Sequence, residues 1–116
     1  MKAFEISQLM RERSNNSYLE FVRSASLSAG VYRLTAGASD PQQPHGEDEL
    51  YYVLSGSASI RVGEEDREVR SGSVVYVEAK VEHRFHTITE DLTALVFFAP
   101  AEHSRAADES GAGHKF

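Results

Sequence analysis

"PQQPHGEDELYYVLSG", residues 41–56, decides how this chain is read. Two prolines, one histidine and three acidic residues lead straight into an apolar run that stops at Gly56. Leu50, Tyr51, Tyr52, Val53 and Leu54 suit a pleated, half-buried surface, so a strand begins near Glu49. Gln43, His45, Glu47, Asp48 and Glu49 are gathered at its mouth. Two readings are open: a solvated acidic loop, or side chains that turn inward and hold something. Glu47 and Asp48 fit the solvated reading.

Outward from this stretch the chain is a series of short apolar segments. "YLEFVRSA", "SAGVYRL", "ELYYVL", "SASIRV", "REVR", "SVVYV", "HRFHTI" and "TALVFFA" are rich in Val, Ile, Tyr and Phe. Turn signals separate them at Gly37 to Pro44, Ser55-Gly56, Gly63 to Asp66, Ser71-Gly72, Glu78 to Val81 and Glu90-Asp91. "RVGEEDREV" reads as a hairpin. Short strands at near-regular spacing predict an all-β sandwich or barrel. Ahead of them, Ile6, Leu9 and Met10 are spaced for one side of a short helical turn. After Pro100 the pattern ends. The expected organisation is one domain over residues 1–100 and a flexible tail over 101–116, in which His103 and His114 have no scaffold and are not expected to be ligands.

The composition excludes several classes. With 116 residues the chain is long enough for one core, and 41% hydrophobic residues make it globular. It has no cysteine, hence no disulfide, thiolate metal site or cysteine nucleophile. A net charge of −6 argues against nucleic acid, whose phosphates need a basic face. The N-terminus lacks the apolar run of a signal peptide, and no segment approaches a membrane span. The expectation is a cytoplasmic protein with no membrane partner.

His45 and Glu49 are four residues apart, and His83 opens a later strand. Imidazole and carboxylate together suit a divalent Fe, Mn, Ni, Co or Zn ion, and two histidines with one carboxylate form the ligand set of non-haem iron oxygenases. Such a set needs ligands from separate elements, which a closed β structure supplies because alternate side chains face its interior. If Glu49 faces inward, so do Tyr51 and Val53; if His83 does, so do Phe85 and Thr87. Tyr51, Val53 and Phe85 would then wall a substrate pocket. Leu50, Tyr52 and Leu54 fall on the opposite face and need a cover: the N-terminal segment, the edge of the other sheet or a second subunit. His86 is expected to point outward, and so is Arg33.

These residues resemble the cupin family. Its first motif reads G-x5-H-x-H-x3-E-x6-G, and Gly37, Gln43, His45, Glu49 and Gly56 fall on that grid. Its second reads G-x5-P-x-G-x2-H-x3-N, matched in spacing by Gly72, Glu78, Lys80, His83 and Thr87. The resemblance implies a cupin jelly-roll fold, here with a short N-terminal helical turn. It implies a mononuclear divalent metal at Gln43, His45, Glu49 and His83, and a small-molecule substrate. It also implies a homodimer, the common state of single-domain cupins.

Gln43 replaces a histidine, so its neutral amide is either a weak ligand or a hydrogen-bonding neighbour of the ion. Glu78 and Lys80 replace the Pro and Gly that shape the turn before His83. The functional expectation is a small metal-dependent enzyme acting on an oxygen-rich metabolite, dioxygenase-like before isomerase or lyase, with no catalytic residue assigned. The alternatives are a non-catalytic ligand-binding or sensor module and a metal-independent epimerase-like protein.

Overall fold

A computed structural model of the chain describes residues 1–12, 17–41 and 44–103. One short helix, α1 (Ile6–Arg11), precedes six strands: β1 (Tyr18–Arg23), β2 (Ser28–Leu34), β3 (Asp48–Val62), β4 (Glu65–Arg70), β5 (Val74–Val77) and β6 (His83–Ala99). They form one antiparallel sheet in the order β1-β2-β6-β3-β4, with β5 paired to β3. This is the all-β architecture expected from the sequence, including the helical turn.

Two boundaries differ from the sequence reading. "ELYYVL" and "SASIRV" are one strand, β3, and "HRFHTI" and "TALVFFA" are one strand, β6. The signals read as turns between them are irregularities within strands. In β3 the pairing to β6 shifts repeatedly between Val53 and Ser59. Gly56 sits there with φ of +94°, and a Cβ on it would lie 2.1 Å from the carbonyl oxygen of Asp91. Only glycine fits this bulge. The shift also changes which residues face inward: Glu49, Tyr51 and Val53 are buried before it, Ala58 and Ile60 after it.

β6 has a comparable break. Thr87 takes a left-handed conformation at φ 48° and is exposed, while Ile88 is buried. The expected inward Thr87 is thus corrected. One residue in the wrong backbone region advances the alternation, and Ile88 takes the inward place.

The interior is filled by Tyr32, Tyr51, Val53, Ile60, Phe85, Val96, Phe98 and their neighbours. The N-terminal segment packs beside β1 and β2, with Leu9 buried and the Phe4 ring edge-on to Phe21 at 5.0 Å. Arg33 reaches this segment, donating from its guanidinium to the carbonyl oxygen of Met10. Its task is therefore to fasten α1. No helix among the described residues is long and apolar enough to cross a membrane.

Candidate metal centre

Glu49 lies near the start of β3, opposite Val77 on one side and Phe98 on the other. His83 opens β6, where its register partner is Val62, at the far end of β3. Along a straight strand the positions of Glu49 and Val62 would be roughly 40 Å apart. Yet His83 Nε2 stands 2.9 Å from Glu49 Oε1. The sheet must curl over for these ends to meet, and the irregularity around Gly56 lies between them.

His45 arrives from the loop before β3. Its Nε2 is 3.7 Å from the same Glu49 oxygen, and its ring is held edge-on by Phe98 at 5.1 Å. Two hydrogen bonds tie this loop to the turn before His83. Lys80 N–H donates to the His45 carbonyl at 2.6 Å, and Ala79 N–H donates to Asp48 Oδ1 at 2.8 Å. The two motif regions are thus fixed to each other by backbone as well as by the site.

All three side chains are buried: His45 is 1% exposed, Glu49 2% and His83 7%. One ligand atom from each lies within 4.8 Å of the others. His83 Nδ1 stands 2.9 Å from the Val81 carbonyl oxygen, an acceptor only, so this nitrogen carries the proton. In the neutral ring the Nε2 lone pair then faces Glu49, the tautomer a metal ligand requires. Burial alone would lower the His83 pKa, but the hydrogen-bonding and negatively charged Glu49 carboxylate outweighs it, and the net shift is upward.

Glu49 Oε2 finds no hydrogen-bond partner among the described residues. A buried carboxylate oxygen left in that state is costly unless a cation meets it. Two imidazoles and one carboxylate in this arrangement fit a divalent transition metal.

The apolar side of the site is Tyr51, Val53 and Phe85, all 1% exposed or less. The Tyr51 ring lies 6.1 Å from His83 and 5.0 Å from Phe85. Behind them is Asp40, which no motif singled out. It is buried, accepts the Tyr32 hydroxyl, and accepts Phe85 N–H at 2.8 Å. This bond fixes β6 two residues from His83. Burial, with Asp40 beside it, pushes the Tyr32 hydroxyl pKa far upward.

Other expectations meet mixed outcomes. Glu47, read as solvated, is 2% exposed. It has the same parity as Glu49, and that was the signal available in the sequence. Asp48 is half-buried through its bond to Ala79. His86 points outward, its Nε2 2.9 Å from Asp66. Gln43 and His114 lie outside the described residues, as do residues 104–116.

The start of the tail is a correction. Ala101 and Glu102 are buried, and His103, read as having no scaffold, brings its ring centroid within 6.4 Å of His45. Glu102 has the inward parity of Ala94, Val96 and Phe98, but Pro100 broke the pattern before that could be read. Burial, together with the charges of Glu49, Glu20 and Glu47, raises the Glu102 pKa to about 8.

Comparison with known proteins places this chain in a family. A family model, the cupin domain, matches residues 30–99. An uncharacterized protein of Streptomyces coelicolor is 52% identical over 104 residues, covering 88% of this chain and 99% of its own. The crystal structure of the DMSP lyase DddQ from Ruegeria pomeroyi is 30% identical, with a TM-score of 0.61 over 66% of this chain. The chain spans only 39% of that structure's length. The TT1209 protein of Thermus thermophilus is 25% identical, with a TM-score of 0.70, covering 87% of this chain and 99% of that one. The motif spacing, the curled sheet and the family match agree, and the chain belongs to the cupin family.

Proposed function

We propose that this chain is a metal-dependent cupin enzyme acting on a small, oxygen-rich metabolite, with oxygenase chemistry as its leading reaction class. The observation that carries the reading is the meeting of His45, Glu49 and His83 ligand atoms within 4.8 Å inside an apolar core. A divalent ion there supplies Lewis acidity and, as iron, the capacity to activate dioxygen. His45 and His83 hold it as neutral imidazoles, and Glu49 brings a single negative charge. The centre then keeps positive charge, which suits a substrate with adjacent anionic oxygens such as a hydroxy-acid, an enediol or a catechol. Tyr51, Val53 and Phe85 give such a substrate an apolar wall. Gln43, two residues ahead of His45, adds a neutral amide oxygen as a weak ligand or a hydrogen-bonding neighbour. The working form is a homodimer, because Leu50 and Tyr52 of β3 and Val74 and Tyr76 of β5 form an exposed apolar face.

A lyase reaction is the second reading, favoured by the 30% identity to the DMSP lyase DddQ. Oxygen uptake separates the two. The Fe(II)-loaded protein is offered a panel of hydroxy-acids, enediols and catechols in air and under nitrogen. Turnover that requires oxygen supports the oxygenase, and turnover under nitrogen supports the lyase. A metal-loaded protein that binds members of the panel and converts none would be a ligand-binding module.

A further inference from the structure

Beyond β6 the chain carries a second set of candidate ligands. The segment 101–103 is held on the β1–β2 hairpin. Glu102 N–H donates to Ser28 Oγ at 2.7 Å, Ala101 N–H donates to the Ala25 carbonyl at 3.5 Å, and the Arg23 guanidinium donates to the Glu102 carbonyl. The backbone that aims Glu102 is thus fixed, and the residue is 3% exposed. Its Oε2 has no hydrogen-bond partner among the described residues and stands 3.4 Å from His103 Nε2. One ligand atom each of His45, Glu102 and His103 lies within 4.8 Å of the others. His45 therefore belongs to two groups at once, and because the five residues do not form one group at that distance, a single ion would have to draw Glu102 and His103 inward.

Charge points the same way. Glu49 and Glu102 are each 3% exposed or less. The Arg23 guanidinium is engaged with Glu20 and with the Glu102 carbonyl oxygen. Carboxylates gathered out of water need a cation, and a divalent ion compensates two of them.

We infer that Glu102 and His103 are metal ligands, acting with His45 on the same ion that Glu49 and His83 hold. The inference rests on the metal-centre reading above. It gives the neutral amide at position 43 a replacement: the imidazole that the first motif lacks is supplied by the chain after β6. Glu102 adds the second carboxylate, and an anionic substrate would compete with it for the ion.

The test uses the full chain and Co(II) and Zn(II) as probes. Co(II) affinity is titrated for the wild type, Glu102→Gln, His103→Ala and His83→Ala, and the imidazoles around Zn(II) are counted by X-ray absorption. The expected result is one Co(II) per chain, at least tenfold weaker binding in both Glu102→Gln and His103→Ala, and one imidazole fewer in His103→Ala. The His103 side chain is 40% exposed, so its removal leaves folding intact and carries the test even if Glu102→Gln unfolds. Wild-type affinity and imidazole count in both variants, with the ion lost in His83→Ala, would overturn the inference and leave the metal centre standing. Two Co(II) per chain would overturn the sharing of one ion. A folded wild type that binds no Co(II) would overturn both.

Discussion

Lys80 donates its backbone N–H to the carbonyl oxygen of His45 at 2.6 Å, and does so from the left-handed region at φ 69°. The bond joins the loop that carries His45 to the turn that delivers His83. A lysine there takes a conformation that costs an L-residue about 1 kcal/mol or more relative to glycine. Lys80→Gly is expected to raise stability by about 0.5 kcal/mol, the relief being offset in part by the freer unfolded chain. Metal affinity should stay within twofold, because the donated N–H is retained. Lys80→Pro removes that N–H and cannot adopt the positive φ, so it should lower both stability and metal affinity. Urea melts and Co(II) titration of the two variants check this pair, and a destabilised glycine variant would contradict it.

Gly56 and Gly63 both have positive φ, at 94° and 59°, but only Gly56 is crowded. A Cβ at Gly56 would run into the Asp91 carbonyl, whereas one at Gly63 meets the Val81 side chain at an ordinary 3.6 Å. Gly63→Ala should therefore cost about 1 kcal/mol of backbone strain, and Gly56→Ala about 2–4 kcal/mol, strain plus overpacking. Because the bulge lies between the ends of β3 that meet in the site, Gly56→Ala should also weaken Co(II) binding. Equal costs in denaturant melts would mean that the backbone at Asp91 yields freely.

These glycines also show how far the sequence could be read. A glycine with positive φ marks a turn or a bulge equally well, so Ser55-Gly56 looked like the end of a strand that in fact continues. Alternation placed Glu49, Tyr51, Val53, His83 and Phe85 together, since each lies within a regular run. It failed at Thr87, where one left-handed residue shifts the phase, and it had nothing to say of Glu102 and His103 beyond Pro100. Asp40 was invisible for another reason: its partners, Tyr32 and the Phe85 N–H, come from distant strands, and no local spacing encodes them.

Among the described residues, two buried groups contribute to the pH response of the metal-free protein. His83 has a pKa raised above its ordinary 6.5, and Glu102 one raised from 4.5 to about 8. In both cases the folded state binds the proton more tightly than the unfolded chain. The stability each contributes is whole below its unfolded pKa and is lost as pH rises through its folded one. The metal-free protein should thus lose stability between about pH 4.5 and 8, by up to roughly 1.4 kcal/mol per pH unit for each proton involved. A bound ion replaces those protons, so the gap in Tm between Co(II)-loaded and metal-free protein should widen with pH. Calorimetry at pH 5, 6.5 and 8 with chelator or Co(II) reads both trends, and Glu102→Gln should flatten the metal-free slope. A slope unchanged in that variant would show that Glu102 is not the group responsible.

The outer face of β3 and β5 has the makings of a subunit contact. Leu50 pairs with Tyr76 and Tyr52 with Val74 across the two strands, so the four side chains share one face. They are 39%, 58%, 40% and 59% exposed, while the inner face of the same strand is committed to the site. The N-terminal segment does not cover them, since Phe4 packs on Phe21 of β1. A contiguous apolar patch of this kind drives association, and a second copy of the same face would be a complementary cover. Sedimentation at micromolar concentration is expected to give twice the 12.9 kDa chain mass. Tyr52→Lys with Val74→Lys should give the single-chain mass, because like charges on the two paired positions would meet their own copies at the centre of the contact. Metal affinity should be unchanged in that double variant, because neither side chain faces the site. A wild type that sediments as one chain would assign the patch to something other than a second copy, and a double variant that remains dimeric would move the interface to another face.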